Sequence, residues 1–149
     1  MAREDFRFAH CLRVRWSEVD KQGIVFNGHY LTYFDVGVTE YYRAIGQPYP
    51  DALAAVGSDL YAKKAEIEFH ASAEYDDVID VCVRVPRLGR SSFEFSIEIY
   101  RGEVLLVSGA LVYVNADPTT RKSQPLPGFL REAITRFEKV MPVHNGGAR

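Results

Sequence analysis

The sequence is poor in cysteine and histidine, has no long apolar run and carries no excess of one charge. Its only two cysteines, Cys11 and Cys82, form no Cys-x-x-Cys pair, which argues against a disulfide framework or a thiolate metal site. Both sit in apolar stretches and are expected to be buried, reduced thiols, as suits the cytoplasm. The four histidines (His10, His29, His70 and His144) make no His-x-x-x-His pair, so no metal is expected. No segment approaches the roughly 20 apolar residues that span a bilayer. Residues Met1 to His10 are too polar for a signal peptide, and no membrane partner is expected. A formal net charge of −2 gives no reason to expect nucleic acid. Gly-x-Ser-x-Gly, Walker and Gly-x-Gly-x-x-Gly motifs are absent, which sets aside the serine and nucleotide chemistries they serve.

What is present is enough apolar residue, 47% of 149, to fold as a single domain. Its core should span about residues 8–140, with residues 142–149, including Asn145, Gly146 and Gly147, frayed. His10, Leu12, Val14 and Trp16 alternate with Arg13 and Arg15, predicting a strand over 8–16. A loop from Ser17 to about Gly28 follows. Leu31, Phe34, Val38, Tyr41 and Ile45 then recur at helical spacing, with Gly46 and Pro48 as stop signals. Tyr30, Tyr33 and Tyr42 widen the apolar surface so far that this helix is expected to be enclosed. A shorter helix is plausible over Asp51–Val56.

Beyond it the period changes to two. Ala65, Ile67 and Phe69, then Ile79, Val81, Val83 and Val85, then Phe93, Phe95, Ile97 and Ile99 each alternate with polar neighbours. Val104–Val114 is a longer apolar strand. Leu88-Gly89-Arg90 and Arg101-Gly102-Glu103 are short enough for hairpins, and Phe129, Leu130, Ile134 and Phe137 suggest a last helix. Helices segregated from a strand meander define an α+β domain with an antiparallel sheet. Its open edges and far face would need cover, which favours self-association.

The stretch from Trp16 to Leu31 feeds the long helix and carries a carboxylate, Asp20, between apolar neighbours. Two readings are open. The loop is either an acidic complement to the helix dipole, or a site whose inward carboxylate and close-approach glycines, Gly23 and Gly28, meet a ligand. Asp76 and Asp77 lie between strands and read as a solvated loop.

The pattern D-x-x-G-x-V-x-x-x-x-Y-L-x-Y-F, here Asp20, Gly23, Val25, Tyr30, Leu31, Tyr33 and Phe34, resembles the hotdog-fold thioesterases. It is most similar to the 4-hydroxybenzoyl-CoA thioesterase branch, which includes the Tol–Pal-associated acyl-CoA thioesterases. Thr39-Glu40, Tyr75-Asp76-Asp77-Val78 and Gly89-Arg90-Ser91-Ser92-Phe93 add to the likeness, which runs over about residues 8–140. The resemblance implies a five-stranded antiparallel sheet wrapped around a long central helix, in a homo-oligomer, dimer or tetramer. It implies hydrolysis of an acyl-CoA thioester with no cofactor, coenzyme A being part of the substrate. Asp20 would be nucleophile or general base, and a backbone N–H at or beside Asn27 the oxyanion donor, with Gly28 and His29 adjoining. Relatives often carry His or Tyr where Asn27 stands, and Asn where His29 stands. His29 would orient water or make a structural bond, and Glu40 reads first as an ion-pair partner. Leu60, Tyr61, Ala62, Arg90 and Ser91 would border substrate. Lys63, Lys64, Arg84, Arg87, Arg90, Arg121 and Lys122 are candidates for the coenzyme A phosphates. An acyl-carrier-protein thioesterase and a non-catalytic acyl-CoA binding module are the alternatives.

Overall fold

The computed structural model describes residues 3–145. Strand β1 (Phe8–Arg13) precedes helix α1 (His29–Ala44) and the short α2 (Asp51–Ala54). Then come β2 (Asp59–Phe69), β3 (Val78–Gly89), β4 (Ser92–Arg101) and β5 (Val104–Ala116). Helix α3 (Gly128–Phe137) and β6 (Val143–Asn145) follow. The sheet order is β1-β3-β4-β5-β2, all antiparallel.

The period-two runs explain this sheet. Val81 lies opposite Ile99 and Val83 opposite Ile97. These four, with Phe93 and Phe95, are fully buried on one face. Alternation puts every second side chain on that face, and β-branched and aromatic residues fill it. Against it α1 lays Tyr30, Tyr33, Phe34, Gly37, Val38, Tyr41 and Tyr42. The approach is close enough to need two glycines. A Cβ on Gly37 would sit 2.6 Å from Val81, and one on Gly109 would sit 2.7 Å from the Phe34 ring and 2.3 Å from the Glu66 carbonyl oxygen.

Several expectations change. Helix α1 is not enclosed in the single chain: Leu31 is 45% exposed, and Thr32, Asp35 and Arg43 are exposed too. Its tyrosines extend the buried stripe without closing the circumference. The first strand stops at Arg13, because the Val14 N–H turns to the Asp77 carbonyl and a 3-10 turn over Trp16–Glu18 takes over. Trp16 is 71% exposed, its ring set edge-on to Tyr75. Cys82 is buried but Cys11 is exposed, since it alternates outward along β1. The tail after Pro142 is paired as far as Asn145: β6 runs parallel to Arg87–Gly89 and adds a sixth strand to the expected five. It continues the edge of β3 that β1 occupies over Val78–Val83. Gly146 and Gly147 lie outside the described residues. Among the described residues, no helix is long and apolar enough to cross a membrane.

Candidate active site

The loop between β1 and α1 is held by backbone bonds on both limbs. The Asp20 N–H donates to the Ile24 carbonyl at 2.9 Å, and the Gly23 N–H returns to the Asp20 carbonyl at 2.9 Å. Val19 bridges to Val25, and Ile24 bridges to Glu74. The Val25 N–H reaches the Ala73 carbonyl, and the Phe26 N–H reaches the Glu18 carbonyl. The loop is thus a small hairpin pinned to the segment before β3, with Val25 buried beneath it.

Asp20 sits at the turn, half-buried. One carboxylate oxygen accepts the Gln22 N–H at 2.8 Å, a local bond that fixes the side-chain direction. The chain then rises into α1. Gly28 occupies the cap position with helical dihedrals and no side-chain cap. The His29 N–H donates to Phe26 and the Tyr30 N–H to Asn27. Among the described residues, the Asn27 and Gly28 N–H groups find no acceptor. Such helix-start donors, with the positive end of the dipole behind them, suit an oxygen that gains negative charge. Asn27 and Gly28 are exposed; His29 is half-buried, its ring edge-on to Phe26.

The proposed substrate-bordering residues fall in two places. Leu60, buried at the start of β2, lines a cavity of about 180 Å³ with Val38 and Tyr42 of α1, Tyr49 and Tyr113. Tyr61 is half-buried under the Arg121 guanidinium, and Ala62 is exposed at an irregularity in the β2–β5 pairing. Arg90 is exposed at the β3–β4 turn. Its neighbour Ser91 is fully buried, with its carbonyl accepting the Asn115 N–H. Of the basic residues, Lys63, Lys64 and Arg87 share a groove of about 330 Å³ with Ser92 and Glu94. Arg84 does not join them: it is only 7% exposed, because its segment of β3 is covered on both faces, and no surface phosphate can reach it. Glu40 pairs with Arg43 on α1, and Asp76 with Arg13.

Residue patterns did not single out Glu18, and they marked Tyr33 only as part of the apolar stripe and the family pattern, not as its partner. Glu18 is buried, paired with Arg15 at 2.5 Å, and accepts the Tyr33 hydroxyl at 2.8 Å. Burial opposes its charge, but hydrogen bonds from Arg15 and Tyr33 outweigh that and hold its pKa below the usual carboxylate value. Desolvation and the Glu18 charge push the Tyr33 phenol well above its ordinary range. The available signal was the Arg15-x-x-Glu18 spacing, which lets a side chain return to the first backbone N–H of a turn.

The model of the thioesterase superfamily matches residues 22–108, more than half of the chain. The chain belongs to that superfamily, and it is a thioester hydrolase with the hotdog fold. A relative, acyl-CoA thioester hydrolase YbgC of Escherichia coli O6:H1, is 26% identical over 119 residues, 78% of this chain and 87% of its own. Among solved structures, the Aquifex aeolicus protein AQ1494 superposes with a TM-score of 0.79 at 26% identity, covering 85% of this chain and 98% of that one. Slr0204, a 1,4-dihydroxy-2-naphthoyl-CoA thioesterase from Synechocystis, shares the fold with a TM-score of 0.78 at 23% identity, covering 85% of this chain and 94% of its own.

Proposed function

We propose that this chain hydrolyses acyl-CoA thioesters, with Asp20 as the reacting carboxylate and the Asn27 and Gly28 N–H groups as the oxyanion donors. The observation that carries the reading is the pairing of a half-buried Asp20 with free donors at the start of α1, both borne by one pinned hairpin. Seated there, the thioester carbonyl gains negative charge as it is attacked. Donors preorganised toward that charge stabilise it; loss of one such donor, a side-chain amide, costs about 2.7–4 kcal/mol in a well-studied protease. The leaving group is a thiolate, and a thiol ionises far more readily than an alcohol, so it departs with little acid help. The Asp20 carboxylate either takes a proton from the attacking water or attacks the carbonyl, expelling the thiolate and forming an anhydride that water then opens. Single turnover in ¹⁸O-water reveals the anhydride route when water opens it at the Asp20 carbonyl, because only then does label enter the Asp20 carboxylate; trapping the anhydride with hydroxylamine detects it whichever carbonyl water attacks.

The coenzyme A phosphates are assigned to the groove of Lys63, Lys64 and Arg87, and the acyl group to the cavity beside Leu60. The branch is assigned to the 4-hydroxybenzoyl-CoA and Tol–Pal-associated enzymes on the pattern from Asp20 to Phe34, while the relative named as an acyl-CoA thioester hydrolase supports the acyl-CoA substrate. The working form is a homo-oligomer, because β2 pairs with β5 along one edge only and α1 leaves a partly apolar side open. The deciding experiment is free-thiol release from a panel of aliphatic and aromatic acyl-CoAs by wild type, Asp20→Asn and Asp20→Ala. Full turnover by both variants would overturn the assignment. Faster turnover of carrier-protein-linked acyl groups would transfer the activity to that substrate, and saturable binding without turnover would make the protein a binding module.

A further inference from the structure

One buried, charged side chain fastens the reactive hairpin to the helix it feeds. Glu18 is 5% exposed. Its Oε1 accepts the Arg15 backbone N–H at 2.8 Å and the Tyr33 hydroxyl at 2.8 Å. Its Oε2 accepts Arg15 Nε at 2.9 Å and Nη2 at 2.5 Å. Its carbonyl accepts the Phe26 N–H at 3.0 Å. One residue therefore touches three parts of the site. The Arg15 contact holds the approach to the loop. The Phe26 contact holds its returning limb, one residue before Asn27. The Tyr33 contact reaches into the second turn of α1, one turn beyond the Asn27 and Gly28 donors that precede the helix. Asp20 lies two residues further along the same limb.

Every carboxylate bond here comes from a donor, so the position is built for an acceptor-only, ionised group. A glutamine would turn an amide N–H₂ toward either the guanidinium or the phenol, and one of those donors would lose its acceptor. The aromatic contacts strengthen the fixture: the Tyr33 ring is edge-on to Tyr30, whose hydroxyl accepts the Ala73 N–H from the segment that pins Val25.

We propose that Glu18 is a positioning residue which, through Tyr33 and Phe26, sets the spacing between the Asp20 carboxylate and the donors at the start of α1. The proposal rests on the assignment of Asp20 and those donors. A displacement of about 1 Å in such an arrangement can cost on the order of 100-fold in rate. The cost falls on the chemical step, because Glu18 is buried and meets no substrate.

The test is steady-state thiol release by Glu18→Gln, Glu18→Ala, Tyr33→Phe and the Glu18→Ala/Tyr33→Phe double variant, beside Asp20→Asn, with folding checked by circular dichroism. Glu18→Gln should lower kcat on the order of 10- to 100-fold and leave KM within about twofold. Tyr33→Phe should lower kcat less, and the double variant should match Glu18→Ala alone, since the two groups act through one bond. If Asp20→Asn is inactive while folded Glu18→Gln and Tyr33→Phe turn over like wild type, the positioning role is wrong and the assignment of Asp20 stands. A loss confined to KM would also overturn it. If Asp20→Asn retains full activity, the underlying assignment fails and this proposal falls with it. Should both Glu18 variants fail to fold, Tyr33→Phe decides the matter: wild-type kcat overturns the proposal, and a selective fall in kcat supports it.

Discussion

Two tyrosines eight residues apart on α1, Tyr33 and Tyr41, each donate a hydroxyl to a buried glutamate, and the two carboxylates are held in opposite ways. Near the helix start, Glu18 has a guanidinium and a backbone N–H besides the phenol, and its pKa is lowered. Further along, Glu138 has the Tyr41 hydroxyl and the Val85 N–H on one oxygen, while its other oxygen finds no partner among the described residues. Burial dominates there and raises the pKa, although Arg84 acts against it. Arg84 itself keeps two buried nitrogens without partners. The difference teaches that partners set the direction of the shift: a directly bonded guanidinium beside the phenol draws the Glu18 pKa down, whereas a phenol and one backbone N–H do not offset burial at Glu138. The end whose carboxylate pKa is lowered is the one beside the reactive loop. The desolvated end ties α1 to β3 and to the close of α3.

The comparison breaks most decisively on chemistry. Asp20→Asn should lower thioester turnover on the order of 10²–10⁴-fold, while Tyr41→Phe and Glu138→Gln leave kcat unchanged under the same thiol-release assay. A large kcat loss from Tyr41→Phe would show that both ends serve the reaction. The next effect is on stability. Tyr41→Phe removes one of the few donors on Glu138 and should cost about 1–3 kcal/mol, read as a fall in urea midpoint at pH 7.

Smaller still are the pH effects, which have opposite signs. The folded chain binds a proton at Glu138 more readily than the unfolded chain does. Its contribution to stability is therefore lost as pH rises from the ordinary carboxylate value of 4.5 through the raised one. Urea midpoints should show that decline in wild type between pH 4.5 and 8, and a shallower one in Glu138→Gln. Glu18 contributes stability that is fully present above 4.5 and is lost as pH falls through its lowered value. Arg15→Ala should begin to lose stability at a higher pH than wild type on acid titration. Coincident acid profiles would mean that the exposed Arg15 guanidinium contributes nothing measurable to the carboxylate's ionisation.

Much of the fold was legible because it rests on periodicity. The alternation from Ile79 to Val85 and from Phe93 to Ile99, and the helical spacing of Phe34, Val38 and Tyr41, follow from which side chains must leave water. The departures lie where local pattern and tertiary pairing part. Trp16 continues an alternation that the turn at Glu18 interrupts, and Val143–Asn145 pair only because β1 leaves the upper part of β3 uncovered. In the site, Asp20 and the helix-start glycine were visible as chemistry-bearing types in an apolar loop. Glu18 was not: an acid beside an arginine reads as solvated surface until the loop folds over it.

The sequence by itself determined the order of the elements, the burial of the α1 stripe and the carboxylate between Trp16 and Tyr30, because these depend on residue type and spacing along the chain. Only the tertiary structure decided which carboxylate has its pKa lowered by bonds from Arg15 and Tyr33, which has it raised by burial, and that Arg84 is buried while Arg90 is exposed. Those outcomes depend on dielectric surroundings and on partners that no spacing along the chain specifies.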